Sequence, residues 1–172
     1  GAFVLDGVEV EDTKKARHIW STHLHADGAY AKDLWIAAPG CATGAERIGR
    51  NIVEDASGFP KMNGKSVFAH AVRRMPEVLS EALKANDISL EEVDLFIFHQ
   101  ANLRIIELVT KQLGIPSDKV FNTIQKYANT TAATIPIGFD EAVRAGVLKT
   151  GMVVASAAFG SGFTWASMIL RW

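Results

Sequence analysis

The chain has 172 residues, with 18 Lys or Arg and 19 Asp or Glu, so its formal net charge at pH 7 is −1. This balance argues against nucleic acid or a membrane surface as a partner, because both attract a strongly basic protein. The apolar runs are far shorter than a membrane-spanning helix requires. The single cysteine excludes an internal disulfide and a cysteine-rich zinc site, so we expect a cytoplasmic protein.

The first part of the chain predicts two strands and a loop-rich segment. It starts at Gly1 without an initiator Met or a signal-peptide pattern, which favours the later part of a longer protein. Residues 1–5 are strand-like, and residues 18–24 mix β-branched, aromatic and polar side chains as strands do. Residues 31–60 are rich in Gly and Pro and predict loops.

The rest of the chain alternates between helical and strand patterns. From Lys65 onward apolar residues keep helical phase through Pro76, which predicts one kinked helix rather than two. The continuous apolar run at residues 95–98 is typical of a strand buried on both faces. Further predicted elements are a helix at 103–113, a short strand at 120–121, a helix at 131–145, a strand at 152–158, a tight turn at 160–162 and a last strand at 163–170. This order predicts an α/β fold with a mostly parallel sheet.

Three segments could carry chemistry, and each also has a purely structural interpretation. His99 directly follows the buried strand, where loops converge on a cleft, but it could simply be a hydrogen-bonded histidine at a strand end. Residues 127–133 are small enough to let the backbone approach a ligand, although Asn129 could serve only as a helix cap. Gly160-Ser161-Gly162 could direct a backbone N–H at a substrate oxygen or form a plain hairpin turn.

Together the three segments resemble the C-terminal half of β-ketoacyl-acyl-carrier-protein synthase III, a condensing-enzyme family of bacterial fatty-acid synthesis. The matching stretches are Ser-Thr-His-Leu-His-Ala-Asp-Gly at 21–28, His-Gln-Ala-Asn-Leu-Arg at 99–104, Asn-Thr-Thr-Ala-Ala at 129–133, Asp-Glu-Ala-Val-Arg at 140–144 and Phe-Gly-Ser-Gly-Phe-Thr-Trp at 159–165. Their order agrees with the family, and the resemblance covers nearly the whole chain.

The resemblance implies a thiolase-like α/β fold, with a mixed, mostly parallel sheet layered with helices. This sheet would belong to the second half of an α-β-α-β-α five-layer fold. Residues 1–28 would then be the last strands of the N-terminal half, residues 29–64 a loop-rich connection, and residues 65–172 the C-terminal half.

The implied activity is that of an acyltransferase that performs a decarboxylative Claisen condensation between acyl-CoA and malonyl-acyl-carrier protein. His99 and Asn129 match the pair of donors that stabilise the enolate formed on decarboxylation. The ring nitrogen of His99 that carries the hydrogen cannot be read from sequence. The backbone N–H of Ser161 would be half of a second oxyanion hole, for the acyl thioester.

The resemblance also implies a channel for the pantetheine arm and CoA. Its residues would be Met62, Gly64, Phe68, Ala101, Asn102, Arg104 and Ile105. Arg104 could contact a CoA phosphate or the acidic carrier protein, or it could be a solvated helix residue. No cofactor would be bound permanently, since CoA thioester and phosphopantetheine are substrates. The other implied partners are the N-terminal half and a second copy in a homodimer.

The sequence departs from the family pattern at Lys65, where many relatives have Asn, and in two further respects that bear on the site. The family's nucleophilic cysteine lies in the N-terminal half, and Cys41, the only cysteine here, is better interpreted as an inert loop or core residue than as a substitute nucleophile. Ala128 stands where the family pattern leads us to expect Gly before the active-site Asn. Ala at this position requires either an ordinary backbone conformation or some strain.

His23, His25 and Asp27 share one face of the predicted strand, at a spacing that metal ligands use. The resemblance favours a structural strand here instead, and no metal is expected.

Two other functions stay open at the sequence level. The chain could be a non-catalytic half-domain that binds acyl carrier protein or CoA, although such a binder has no need of His99, Asn129 and the glycine turn together. It could also be part of a related CoA-dependent condensing enzyme or acyltransferase of secondary metabolism.

Overall fold

The computed structural model describes residues 1–13, 15–38 and 58–172. The strands of these regions are β1 (His18–Ala26), β2 (Leu34–Trp35), β3 (Lys61–Met62), β4 (Leu95–Phe96), β5 (Val153–Gly160) and β6 (Thr164–Arg171). The α-helices are α1 (Gly64–Ala85), α2 (Leu103–Leu113), α3 (Ile124–Tyr127) and α4 (Thr134–Arg144). Short 3-10 helices cover Gly28–Asp33, Ser117–Lys119 and Thr131–Ala133. None of the helices in these regions has the length and hydropathy that a membrane span requires.

The main sheet has the strand order β1-β6-β5-β4 and is mixed. β4 pairs with β5 in parallel, whereas β5 pairs with β6 and β1 with β6 in antiparallel fashion. The α/β class and the mixed sheet are confirmed, although two of the three strand pairings described in the main sheet are antiparallel rather than parallel. For β5 and β6 the physical reason is that only three residues join them, and so short a connection allows only an antiparallel hairpin.

β1 belongs to the same sheet as the strands that follow it. It is hydrogen-bonded to β6 from His18, opposite Arg171, to Ala26, opposite Thr164. The predicted division after residue 28 therefore does not separate two sheets in the described regions. The assignment of residues 1–28 to a preceding half stays a prediction.

The core lies on both faces of the sheet, as the apolar run at residues 95–98 predicted. Phe96 and Phe98 point to a cluster built with α1 and α2, while Leu95 and Ile97 point to a second cluster built with α4. Helix α4 lies close to the strand, since a Cβ at Gly138 would stand 2.7 Å from the Ile97 side chain. The described chain therefore forms an α/β/α layer arrangement around β4 and β5.

Helix α1 runs without a break through Pro76, so the prediction of one helix is confirmed. Its first turn is capped by the Asn63 side chain, which accepts a hydrogen bond from the Ser66 N–H at 3.3 Å. Its buried face consists of Ala71, Met75, Val78, Leu79, Ala82 and Leu83. This face packs against β1, β5 and β6 of the sheet.

Residues 1–10 form no helix or strand, so the predicted strand at residues 1–5 is wrong. Val4 and Leu5 are exposed, and Phe3 packs edge-on against Phe139 with ring centroids 5.2 Å apart. Within the described residues no strand pairs with this segment, and strand propensity alone does not form a strand without a partner.

Gln100 joins the end of β4 to the loop that leads into α3. Its side chain is fully buried. Its Nε2 donates to the Phe98 carbonyl at 2.8 Å, and its Oε1 accepts from the Thr123 and Ile124 N–H groups at 3.0 and 3.1 Å. One amide therefore satisfies three backbone groups and fixes α3 relative to the sheet.

Replacing Gln100 with Leu is expected to lower the free energy of unfolding by about 3 kcal/mol, because three backbone groups lose their hydrogen-bond partner. Denaturant unfolding measures this change. Gln125→Leu, on the exposed side of α3, is the control and should change stability by less than about 0.5 kcal/mol. Equal losses of unfolding free energy in the two variants would show that the hydrogen bonds of Gln100 do not account for the effect.

Candidate functional site

The end of β4 positions the first site residue. Parallel pairing with β5 continues beyond β4 through the Ile97 N–H to the Ala155 carbonyl and the His99 N–H to the Ala157 carbonyl, both at 3.0 Å. Asn102 then caps α2, its Oδ1 accepting from the Arg104 N–H at 2.9 Å. The chain thus passes from buried strand to helix within a few residues, and His99 stands at the opening.

A cleft of about 1440 Å³ lies at this end of the sheet. It is lined largely by apolar side chains and includes nine of the ten residues predicted for the site. These nine are Met62, Gly64, Phe68, His99, Ala101, Asn102, Ile105, Asn129 and Ser161. The sequence prediction therefore selected residues from four separate segments that the fold brings together.

His99 is half-buried, and burial lowers the pKa of its imidazole. Its ring is therefore neutral at pH 7. The Nδ1 atom lies 2.6 Å from Oγ1 of Thr134. The Nε2 atom has no hydrogen-bond partner among the described residues, and it is not buried. Because His99 lines the cleft, this nitrogen faces the cleft.

The Asn129 side chain is exposed, and its orientation is fixed from one side. Its Oδ1 accepts a hydrogen bond from the Thr131 N–H at 2.9 Å. This contact assigns the oxygen to the protein and leaves Nδ2, which can only donate, for a ligand. A side-chain amide does not titrate, so this donor is present at every pH.

The backbone before Asn129 is strained. Ala128 has φ 56° and ψ −156°, a region that is essentially restricted to glycine. Of the two alternatives for Ala at this position, the structure shows strain. Thr131 also has a positive φ, of 55°, so two non-glycine residues around Asn129 adopt conformations that L-residues rarely take.

Ser161 lies in the turn between β5 and β6. Its carbonyl accepts from the Thr164 hydroxyl at 2.9 Å, whereas its own N–H has no hydrogen-bond partner in the described part of the chain. The side chain is exposed at the cleft wall. The segment therefore forms a hairpin turn, and this turn also presents a free backbone N–H donor.

Arg104 is the one predicted residue that does not line the cleft. It is exposed on the first turn of α2, beside Asn102 and Ile105, which do line it. The guanidinium is thus placed outside the opening rather than within it.

The structure does not gather His23, His25 and Asp27 around a common point. His23 Nδ1 and His25 Nε2 both contact the Glu81 carboxylate, at 3.2 and 2.6 Å, while Asp27 Oδ1 caps the following turn at the Ala29 N–H. The hydrogen bonds from the two imidazoles lower the pKa of Glu81. In residues 1–13, 15–38 and 58–172 no group of three or more His, Cys, Asp or Glu is placed to bind a metal ion. Cys41 lies outside the described residues.

Two hydrogen bonds to Glu141 that the sequence analysis missed support the Asn129 segment, and we call them the Glu141 clasp. Glu141 of α4 accepts from the Tyr127 hydroxyl at 2.6 Å and from Lys126 Nζ at 2.8 Å, so α3 and α4 are joined on either side of Asn129. These two donors lower the pKa of the Glu141 carboxyl. The only sequence signal for Glu141 was its place in the Asp-Glu-Ala-Val-Arg stretch.

The family of the chain follows from sequence comparison. Residues 83–172 match the family model described as 3-oxoacyl-[acyl-carrier-protein (ACP)] synthase III C terminal. A β-ketoacyl-[acyl-carrier-protein] synthase III from Granulibacter bethesdensis is 44% identical over 170 residues, which are 99% of this chain and 49% of that protein. The chain belongs to the 3-oxoacyl-[acyl-carrier-protein] synthase III C-terminal family. It spans about half the length of the curated relatives it matches.

Solved structures agree on the fold. The synthase III from Thermus thermophilus is 37% identical with a TM-score of 0.79, over 92% of this chain and 47% of that one. The 3-oxoacyl-[acyl-carrier-protein] synthase III from Aquifex aeolicus is 38% identical with a TM-score of 0.78, over 95% and 46%. The predicted thiolase-like class is therefore confirmed.

Ala128→Gly is expected to raise the free energy of unfolding by about 1 kcal/mol, because glycine adopts the observed φ of 56° without strain. Ala133, with φ −76°, is the matched control, and Ala133→Gly should lower stability by a similar amount. Thermal or denaturant unfolding measures both. A loss of stability at Ala128 would contradict the strained conformation.

Proposed function

We propose that this chain is the C-terminal part of a β-ketoacyl-acyl-carrier-protein synthase III, which condenses acyl-CoA with malonyl-acyl-carrier protein to start fatty-acid synthesis. In this proposal residues 65–172 act as the C-terminal half and complete the enzyme together with an N-terminal half in a homodimer. The cysteine that carries the acyl group is supplied from outside this chain.

In the proposed reaction the bond between the malonyl α-carbon and its carboxylate breaks, and CO2 leaves. The electron pair stays on the α-carbon and spreads onto the thioester oxygen as an enolate. The α-carbon then attacks the acyl thioester, a carbon–carbon bond forms, and the cysteine leaves as a thiolate. His99 and Asn129 would donate hydrogen bonds to the enolate oxygen, and Ser161 N–H to the oxygen of the acyl thioester.

The observation that carries the proposal is that three unpaired donors face one cleft. These are Nε2 of His99, Nδ2 of Asn129 and the backbone N–H of Ser161, each without a protein partner in the described residues. All three are neutral, which suits an oxyanion that forms and disappears in each turnover. The family match supports the proposed reaction class.

The rest of the cleft suits an extended thioester arm. Apolar residues such as Met62 and Phe68 line it beside the polar cap at Asn102. A pantetheine chain has the same mixture of apolar and amide groups. CoA and carrier-bound phosphopantetheine would therefore be substrates, with no permanent cofactor.

His99→Ala and Asn129→Ala are each expected to reduce malonyl decarboxylation about 10²–10³-fold, the effect of removing one oxyanion donor. Both should leave acyl transfer from acyl-CoA to the cysteine largely intact. CO2 release from malonyl-acyl-carrier protein measures the first step, and intact-mass analysis of the acylated native protein measures the second.

His18→Ala is the matched control, because His18 pairs with Arg171 at the end of the sheet remote from the cleft. It should decarboxylate at the wild-type rate. If both donor variants retain decarboxylation, the donor assignment is wrong. If the wild-type protein binds CoA or carrier protein but releases no CO2, the non-catalytic binding module is the better assignment.

Arg104→Glu is expected to raise KM for malonyl-acyl-carrier protein about threefold to tenfold at low salt with kcat unchanged, since an exposed charge beside an interface acts mainly on association. The difference should shrink at high salt because ions screen it. Lys149→Glu, just before β5 at the opposite end of the sheet, makes the same charge change as a control. An unchanged KM in Arg104→Glu would favour the solvated-residue interpretation.

A further inference from the structure

Thr134, the first residue of α4, contacts the donor histidine although the sequence analysis gave it no role. Its side chain is 2% exposed. Its Oγ1 lies 2.6 Å from Nδ1 of His99 and 3.0 Å from the Thr131 carbonyl oxygen. It is the one hydrogen-bond partner of the His99 ring in the described residues.

A threonine hydroxyl has one hydrogen, so it can donate to only one of these two neighbours at a time. If it donates to the Thr131 carbonyl, the Nδ1 atom must carry the ring hydrogen and donate to Thr134. A neutral ring then presents a bare lone pair at Nε2, which repels an oxyanion. If the hydroxyl donates to Nδ1, the ring hydrogen is on Nε2 and points into the cleft.

The second arrangement leaves no buried backbone group unsatisfied. The Thr131 carbonyl already accepts a hydrogen bond from the backbone N–H of Thr134, so it does not need the hydroxyl. Nδ1, in contrast, has no other donor within the described residues. Burial keeps the pKa of His99 low, so a second ring proton does not supply the donor at neutral pH.

We propose that Thr134 is a positioning residue whose hydroxyl donates to Nδ1 of His99 and thereby places the ring hydrogen on Nε2, the nitrogen that faces the cleft. Its value for catalysis rests on the function proposed above. The hydrogen-bond assignment itself is a property of the protein without substrate and is tested separately.

The first test is nitrogen NMR of the histidine rings in the native protein without substrate, with His99 assigned by its absence in His99→Ala. We expect the Nε2–H tautomer at neutral pH. In Thr134→Val, which keeps the shape but removes the hydroxyl, the Nδ1 resonance should move toward that of an unbonded ring nitrogen. In Thr134→Ser it should stay near its wild-type position.

The second test is kinetic. Thr134→Val should lower kcat for malonyl decarboxylation about tenfold, the equivalent of one neutral hydrogen bond, with KM unchanged. Thr134→Ser should restore kcat. A purely structural role would lower the melting temperature of the Val variant without moving the Nδ1 resonance.

The outcomes separate the two proposals. An Nδ1–H tautomer in the wild-type protein overturns the role of Thr134, and that measurement requires no variant to fold. An unchanged Nδ1 resonance in a folded Thr134→Val also overturns it. The expected tautomer in a wild-type protein that releases no CO2 supports the Thr134 contact and overturns only the proposed function.

Discussion

The buried amide of Gln100 is the contact on which the site depends. β4 lies in the unbroken apolar run at residues 95–98, and the backbone pairing with β5 continues as far as the His99 N–H. Beyond that point the chain needs other partners for its polar groups, and a single side chain supplies them for Phe98, Thr123 and Ile124. His99 and the loop toward Asn129 are thereby held against the same sheet edge, although 30 residues separate His99 from Asn129 in sequence.

The three groups proposed as donors share a second property, which is that none of them carries a charge at neutral pH. Burial keeps His99 uncharged, Asn129 has no titratable group, and the third donor is a peptide N–H. In the proposed reaction a fixed cation would bind the malonyl carboxylate as readily as the enolate, and uniform binding of that kind does not accelerate a reaction. Neutral dipoles aimed at one oxygen favour the state in which charge reaches that oxygen.

The sequence predicted what depends on local pattern. The strand at residues 95–98, the helix through Pro76 and the end of α2 at Gly114 follow from apolar spacing and from backbone preferences. Pattern could not give the pairing of β1 with β6, because strand order depends on contacts between distant residues. For the same reason the contacts of Thr134 and Glu141 were missed. Each looks like an ordinary helix residue until α4 packs beside His99 and Tyr127.

The strained backbone around Asn129 depends on support from surrounding contacts. Residues at positive φ cost about 1–3 kcal/mol each, and they persist only where surrounding contacts over-determine the backbone. Here the contacts of Tyr127 and Lys126 with Glu141 lie on one side, and the contact between Thr134 and His99 lies on the other. The amide of Asn129 is therefore oriented before any ligand arrives. A donor that must reorganise gives up much of its interaction energy when charge develops, so a fixed Asn129 amide is what the proposed function requires.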